Sequence, residues 1–561
     1  MKGKISSKTL LLIILVIAGC GQLKISTFYE KGAVVTASEA ATEIGLDILK
    51  QGGNSFDAAV AVGFALAVVY PEGGNVGGGG FALLRSVETE KIYALDFREV
   101  APAAATTNMY LTDSGEVIEN LSTLGALSSG VPGTVAGLYE IWQKFGSLRW
   151  EKLVEPAAKL AENGFVVSES LHKSITKHKD DLSIFEETKK VFLRNDEPPQ
   201  TGDSISFEDL ATTLYAILEN GADGFYTGIT ADKIVQTMEK YGGLITKKDL
   251  ADYKVQWREP VKFMFDSLEI YSMPPPSSGG LIVGQILKMI ESYDLTNQNP
   301  DSPEFVHIFC EISKLAFADR SLHLGDPDFY NIPSAMLDSN YLNSRKLKIN
   351  SNYAVPSEEI LPGNFRVTES DATTHVSICD KDGNMIALTY TINSEYGSKL
   401  VVEGAGFLLN NEMDDFSVKP GVPNYFGLIG GEANKVEPNK KMLSSMSPTL
   451  IMEEGQPHLI LGSRGGSKII TTIAQAIINK VRFNLRPEEI VAFPRFHHQW
   501  IPDKLYLEEE SFGIDLKQEL IKRGHNVTER SRYGGLNIIY IENGMMIPAS
   551  DPRGDGSAAG F

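Results

Sequence analysis

The sequence predicts an α+β protein, with helices gathered in its first half and strands in its last third. Three observations carry this reading. Apolar residues recur at helical spacing in segments between Ser38 and Tyr293. From Thr373 onward, short runs rich in β-branched residues replace them. Residues 350–372, between the two textures, are polar and carry neither period.

Lys2, Lys4 and Lys8 precede an apolar run from Leu10 to Ile17, and Ile17-Ala18-Gly19-Cys20 follows. A basic start, a short apolar stretch and small residues before a cut describe a secretory signal over residues 1–19. The cysteine at the cut resembles a bacterial lipobox, so Cys20 is expected to become a lipidated N-terminus. The run is too short to span a bilayer comfortably. Residues 20–33 read as a tether.

Ser38–Leu49 has helical spacing, with Ser38 as N-cap and Gly52-Gly53 as the stop. Phe56–Tyr70 is apolar except at Asp57 and Gly63, which predicts a helix buried on all sides. The glycine-rich run Gly73–Gly80 then leads into a strand at Phe81–Leu84. In a dinucleotide fold such glycines follow a strand and open a helix; here the order is reversed, so no phosphate cradle is expected. The glycines are expected to let backbone pass close to other backbone or to a ligand. Ile92–Phe97 alternates as a strand closed by Arg98-Glu99. Helices are expected at 132–145, 151–163, 206–219, 229–240 and 281–293. Strands are expected at 373–379, 385–392, 458–462, 504–508 and 536–541, with a helix at 467–480.

Composition narrows the function. Among 561 residues, 42% are apolar and 22% charged, ordinary for a globular chain that can bury a large core. The net charge of −20 becomes about −23 once the three lysines of the leader are removed, which argues against nucleic acid or an anionic membrane surface as a partner. Only Cys310 and Cys379 remain beyond the leader. No disulfide framework is visible, and Cys379 falls inside a strand as a buried thiol. His497-His498 are neighbours in an extended segment and point to opposite faces, so a structural role is expected rather than chelation. No metal and no cofactor are expected.

The chemistry concentrates around Asp371-Ala372-Thr373-Thr374. A hydroxyl residue follows a small residue at the end of a polar loop and opens a strand. A threonine freed there would carry a nucleophile and a base, its own α-amine, on one residue. Thr373–Cys379 and Met385–Asn393 flank Lys381-Asp382-Gly383-Asn384, which predicts a hairpin. A three-residue loop with Gly383 left-handed pairs Asp380 with Asn384 and sets Thr373 opposite Thr391. A two-residue loop would oppose Ile392 instead. Asn410–Phe416 is a dense polar cluster, either a solvated turn or a pocket that binds an ammonium through Glu412 and Asp415. Gly462–Ser467 joins a strand to a helix, where backbone amides face an anion or form a tight connection.

Together these stretches resemble the γ-glutamyltranspeptidase (glutathione hydrolase) family of N-terminal-nucleophile hydrolases. The likeness runs from about residue 33 to Phe561. It rests on Gly52–Val60, Gly74–Phe81, Asp96–Glu99, Thr373-Thr374-His375, Asn410–Phe416, Leu443–Thr449, Gly465–Ser467, Pro494–Trp500 and Ser550–Arg553. It implies a four-layer αββα sandwich, made as one chain and cut between Ala372 and Thr373. The products would be a large subunit, 20–372, and a small catalytic subunit, 373–561, that stay together. Thr373 would attack the γ-carbonyl of glutathione or another γ-glutamyl compound, and the resulting ester would pass its acyl group to water or to an amino acid or peptide amine. The resemblance also implies individual roles. Thr391 would orient Thr373. Arg98 would clamp the substrate α-carboxylate, helped by Ser444 and Ser445. Asn393, Glu412 and Asp415 would hold the α-ammonium, and the Gly465 and Gly466 amides would form an oxyanion hole. The implied location is the bacterial envelope or periplasm, with membrane contact only through a lipid on Cys20.

The chain departs from the family pattern in places. Phe426, beside Tyr425, stands where several bacterial members carry a gating tyrosine, in the lid-like loop 419–428. Arg464 stands where proline is frequent, and Pro71-Glu72-Gly73 is an unusual variant. Two other functions stay open at this level: a glutaryl, cephalosporin or poly-γ-glutamate acylase on the same fold, and an envelope lipoprotein that binds peptides without catalysis.

Overall fold

The computed structural model describes residues 27–361, 373–419 and 431–561. Cys20, Ala372 of the expected cut, and Tyr425 and Phe426 of the expected lid-like loop lie outside them.

Two antiparallel sheets organise the chain. The seven-stranded one runs Ser557–Gly560, Gly32–Thr36, Thr374–Asp380, Met385–Thr391, Gly79–Ser86, Lys91–Phe97 and Gln256–Arg258. The six-stranded one runs Met545–Ser550, Gly535–Glu542, Gln456–Arg464, Thr449–Glu453, Leu268–Ser272 and Val261–Phe265. Strand residues alternate between two cores, as the pleat requires. Val34, Leu84, Leu95, Ile378 and Leu388 pack with the helices Glu39–Lys50, Ser55–Val69, Thr134–Phe145 and Trp150–Asn163. Val35, Leu83, Ala94, Cys379 and Ala387, from the opposite face, share a core with the second sheet and the helices Gly279–Ile290, Pro303–His323 and Lys468–Val481.

The helix Ser55–Val69 is buried along nearly its whole length, as its composition predicts. Asn54 caps it, accepting from the Phe56 and Asp57 amides, while Asp57 returns a bond to the Asn54 amide. Ser38 also stands at a helix start, but its side chain makes no capping bond. The tether reading overshoots: Gly32–Thr36 is a fully buried central strand, and Tyr29 already bridges to Met546. The longest helix, Pro303–His323, and the hairpin Val261–Phe265/Leu268–Ser272 are absent from the sequence expectations. Cys310 and Cys379 are free, buried thiols. His497 and His498 are structural: the first bonds Thr471 and Gln499, the second Asp503 and the Trp500 amide.

Residues 350–361 are irregular, as expected, yet firmly held. The Val355 amide donates to Glu311 at 3.0 Å, Lys314 donates to the Val355 carbonyl at 2.7 Å, and Trp500 donates to the Ser357 carbonyl at 2.8 Å.

Candidate active site

The hairpin forms with the three-residue loop. The Asp380 amide bonds the Asn384 carbonyl at 3.2 Å, and Gly383 has φ of 88°. Pairing runs from Cys379↔Met385 to Thr374↔Tyr390. One further step sets Thr373 opposite Thr391, both nearly buried. The Thr391 hydroxyl accepts from the Asn393 amide at 2.9 Å. Asn393 is left-handed (φ 75°) and donates through its side chain to the Asn411 carbonyl at 3.0 Å.

The glycine-rich run lies directly against this hairpin. A Cβ on Gly78 would sit 1.9 Å from the Thr391 carbonyl oxygen, and one on Gly80 would sit 2.3 Å from that of Thr389. No side chain fits such contacts, so the run is glycine because backbone meets backbone. Asn410 fastens the arrangement, donating to the Gly77 and Gly130 carbonyls, both at 2.8 Å.

Around Thr373 a small pocket of about 10 Å³ gathers Arg98, Thr391, Asn393, Glu412, Asp415, Ser444, Ser445 and Gly466. These are the predicted side chains, drawn from positions more than 300 residues apart in the chain. Asn410–Phe416 is not a solvated turn: it is buried, and Glu412–Asp415 form one 3-10 turn. Arg98 holds Glu412 at 2.7 Å and Asp415 at 2.5 Å, with Glu99 at 3.5 Å. It also donates to the Met442 carbonyl at 3.3 Å.

One guanidinium therefore faces three buried carboxylates. Burial raises the pKa of all three acids, and the Arg98 charge only partly offsets it. Arg98 itself is held more firmly protonated by Glu412 and Asp415, against the cost of burial. A zwitterion suits such a site. Its ammonium can supply the positive charge that the acids lack, and its carboxylate can then meet the Arg98 charge that those acids now share.

Ser444 and Ser445 are tied to the first half of the chain. The Ser278 amide donates to the Ser444 carbonyl at 2.7 Å, and Arg320 reaches the Ser445 hydroxyl at 3.4 Å and that of Ser278 at 2.7 Å. Gly465 (φ 126°) and Gly466 (φ 59°) form the turn between the strand Gln456–Arg464 and the helix Lys468–Val481. Both conformations favour glycine. Gly466 lines the small pocket with Thr373, whereas Gly465, again with Thr373, lines a second, far larger cavity of about 750 Å³.

Three supporting residues escaped the sequence reading. Arg320 lies on the long helix that was not predicted. Asn434 donates to the Asp415 carbonyl at 2.6 Å and accepts from the Leu443 amide at 2.9 Å; no local pattern marks it. Glu99 closes a strand and belongs to the Asp96–Glu99 stretch of the resemblance, but was given no role in the site, although an acid beside a buried arginine is itself a signal.

A metal-capable cluster lies elsewhere, at His307, Glu311 and His525. It is satisfied internally: His307 bonds His525 and the Asn350 carbonyl, each at 2.8 Å, and Glu311 pairs with Lys314 at 2.6 Å.

The gamma-glutamyltranspeptidase family model matches residues 41–561. The glutathione hydrolase proenzyme of Escherichia coli (strain K12) is 46% identical over 536 residues, 95% of this chain and 92% of that one. That of Pseudomonas aeruginosa is 44% identical, covering 96% of each. Among solved structures, a cephalosporin acylase from Bacillus halodurans aligns with a TM-score of 0.85 at 25% identity, over 98% of this chain and 99% of that one. The Helicobacter pylori gamma-glutamyltranspeptidase is 42% identical, with a TM-score of 0.57 over 58% of this chain and 94% of that one. With buried Thr373 and Thr391 opposed on one hairpin, and Arg98 facing three acids beside them, the chain belongs to the gamma-glutamyltranspeptidase family.

Proposed function

We propose that this chain is a γ-glutamyl hydrolase and transpeptidase, acting on glutathione and related γ-glutamyl compounds through an ester on Thr373. The observation that carries the assignment is the small pocket beside Thr373, lined by Arg98 and two carboxylates, Glu412 and Asp415, with a third acid, Glu99, behind Arg98. Such a set recognises a group bearing both an α-carboxylate and an α-ammonium. A glutaryl side chain, or any acyl group without an α-amine, has no ammonium to offer Glu412 and Asp415, which favours γ-glutamyl donors over such substrates despite the structural likeness to an acylase.

The precursor is cut between Ala372 and Thr373, giving subunits 20–372 and 373–561 on an αββα sandwich. Thr391 orients the Thr373 hydroxyl. Arg98, with Ser444 and Ser445, holds the α-carboxylate, and Asn393, Glu412 and Asp415 hold the α-ammonium. Attack by Thr373 Oγ forms the C–O bond as the amide C–N bond breaks. The hydroxyl proton passes to the leaving amine through the freed α-amine. The Gly465 and Gly466 amides steady the oxyanion. Water or an amine then takes the acyl group and returns the proton to Thr373. The basic leader and Cys20 fit an exported protein held at the bacterial envelope by a lipid.

The test is a denaturing gel with sequencing of the smaller fragment. Two fragments are expected, the smaller beginning Thr-Thr-His, and Thr373→Ala should stay one chain without activity. A single chain in the unmutated protein would refute processing. Faster turnover of glutaryl than γ-glutamyl anilide would refute the donor assignment.

A further inference from the structure

Two departures from the family pattern, far apart in sequence, meet in the folded chain. Glu72, in the variant Pro71-Glu72-Gly73, and Arg464, just ahead of the glycine pair, line the same 750 Å³ cavity as Thr373 and Gly465. Tyr70 links them. Its hydroxyl accepts from Arg464, whose charge also reaches Glu72. The Glu72 backbone is fixed by a 3.2 Å bond from the Tyr396 amide to its carbonyl. A Cβ on the adjacent Gly73 would lie 3.5 Å from the Thr373 carbonyl oxygen, so this segment runs past the nucleophile itself.

Glu72 is only 7% exposed, and its Oε2 has no hydrogen-bond partner among the described residues. A buried carboxylate oxygen left in that state is costly unless something completes it. The γ-glutamyl reading assigns the charged end of the acyl group to the small pocket, whose lining shares only Thr373 with this cavity. The cavity wall holding Glu72 is therefore where the nitrogen side of the reaction must sit: the amine that leaves the donor, or the one that arrives to take the acyl group.

We propose that Glu72 is a specificity-determining residue on the amine side, its carboxylate accepting a hydrogen bond from the N–H of an amino acid or peptide that leaves or takes the γ-glutamyl group. Tyr70 and Arg464 act as positioning residues that set the wall holding it. The inference rests on the γ-glutamyl reading. Burial raises the Glu72 carboxyl to about 7, opposed by its own backbone bond and by Arg464 and reinforced by Glu395 and Asp555, so its capacity to accept grows through neutral pH.

The test uses the processed enzyme with γ-glutamyl-p-nitroanilide as donor and glycylglycine as acceptor, measuring γ-glutamyl-glycylglycine against free glutamate. Glu72→Gln should lower the transfer-to-hydrolysis ratio about tenfold and raise the KM for glycylglycine, the size expected for one lost charge-assisted bond. Glu72→Asp, which keeps the charge, should fall between the two. The gap between unmutated and Gln enzyme should widen from about pH 6 to about pH 8. Protonation of the acceptor is common to both enzymes and cancels; ionisation of Glu72 does not. An unchanged ratio and an unchanged pH gap in both variants would overturn the proposal. An unmutated enzyme that releases no nitroaniline at all would overturn the γ-glutamyl reading first, and this one with it.

Discussion

The two sides of Thr373 are built differently. On one side, about 10 Å³ of space is lined by Arg98, Glu412, Asp415, Ser444 and Ser445, all buried, with Arg98 paired to both acids. On the other, about 750 Å³ opens between Glu72, Arg464 and the segment around Arg532, much of it partly exposed. The first is a mould for one kind of group, with its charges fixed before anything arrives. The second can admit partners of many shapes and discriminates through few contacts. An enzyme that keeps one acyl group and exchanges many amines needs this asymmetry, because binding energy spent on a mould is lost when partners vary.

The comparison can be broken most sharply at Arg98. Arg98→Lys keeps the charge but loses the fork that meets Glu412 and Asp415 at once. We expect kcat/KM for a γ-glutamyl anilide to fall about 100-fold or more, with the transfer-to-hydrolysis ratio unchanged, because the amine side is untouched. A change in that ratio would dissolve the distinction between the two sides. Removing the charge altogether, as in Arg98→Met, strands the acids and should also destabilise the fold by about 3–5 kcal/mol, read by thermal unfolding.

Gly466→Ala tests the border between the sides. Its φ of 59° disfavours any side chain, and it lines the small pocket. Disturbing the amide there should lower kcat about 10- to 100-fold for hydrolysis and transfer alike, with little change in KM. A KM effect alone would remove the glycine pair from the chemistry.

A last test leaves the chemistry aside and concerns two buried histidines. Burial depresses His375 from 6.5 to about 3 and His498 to about 4. Each takes a proton more readily when unfolded. Stability is therefore full above about pH 6.5 and drains as the pH falls toward those values, by roughly 1.4 kcal/mol per unit for each histidine. The melting temperature should drop steadily from about pH 6.5 to about pH 4, and less steeply in His375→Gln. A flat profile would show that these rings are already protonated in the fold.

What could be read from the sequence follows from how local each feature is. The hairpin register was legible because Gly383 fixes the turn and the pleat fixes the rest. The glycine run was legible because only close backbone approach calls for so many glycines. Pro303–His323 was not, because a helix buried on every side shows no stripe; Glu311, Lys314, Asp319 and Arg320 are all interior. The tether expected over residues 20–33 runs two residues into the strand Gly32–Thr36, because five residues are too few to show a period. The pocket residues were visible as motifs, whereas Arg320, Asn434 and the Tyr70–Arg464 link join segments that sequence alone gives no reason to bring together.

The sheet order has one more consequence. Gly32–Thr36 lies between Ser557–Gly560 and Thr374–Asp380, and the six-stranded sheet joins Leu268–Ser272 to Thr449–Glu453. Both sheets thus weave together chain from either side of residue 373. Cutting there would turn a unimolecular refolding problem into a bimolecular one. A newly made chain can find this weave by itself, but a cut protein, once unravelled, would depend on two strangers meeting. The mature molecule would endure by never coming apart rather than by its ability to return.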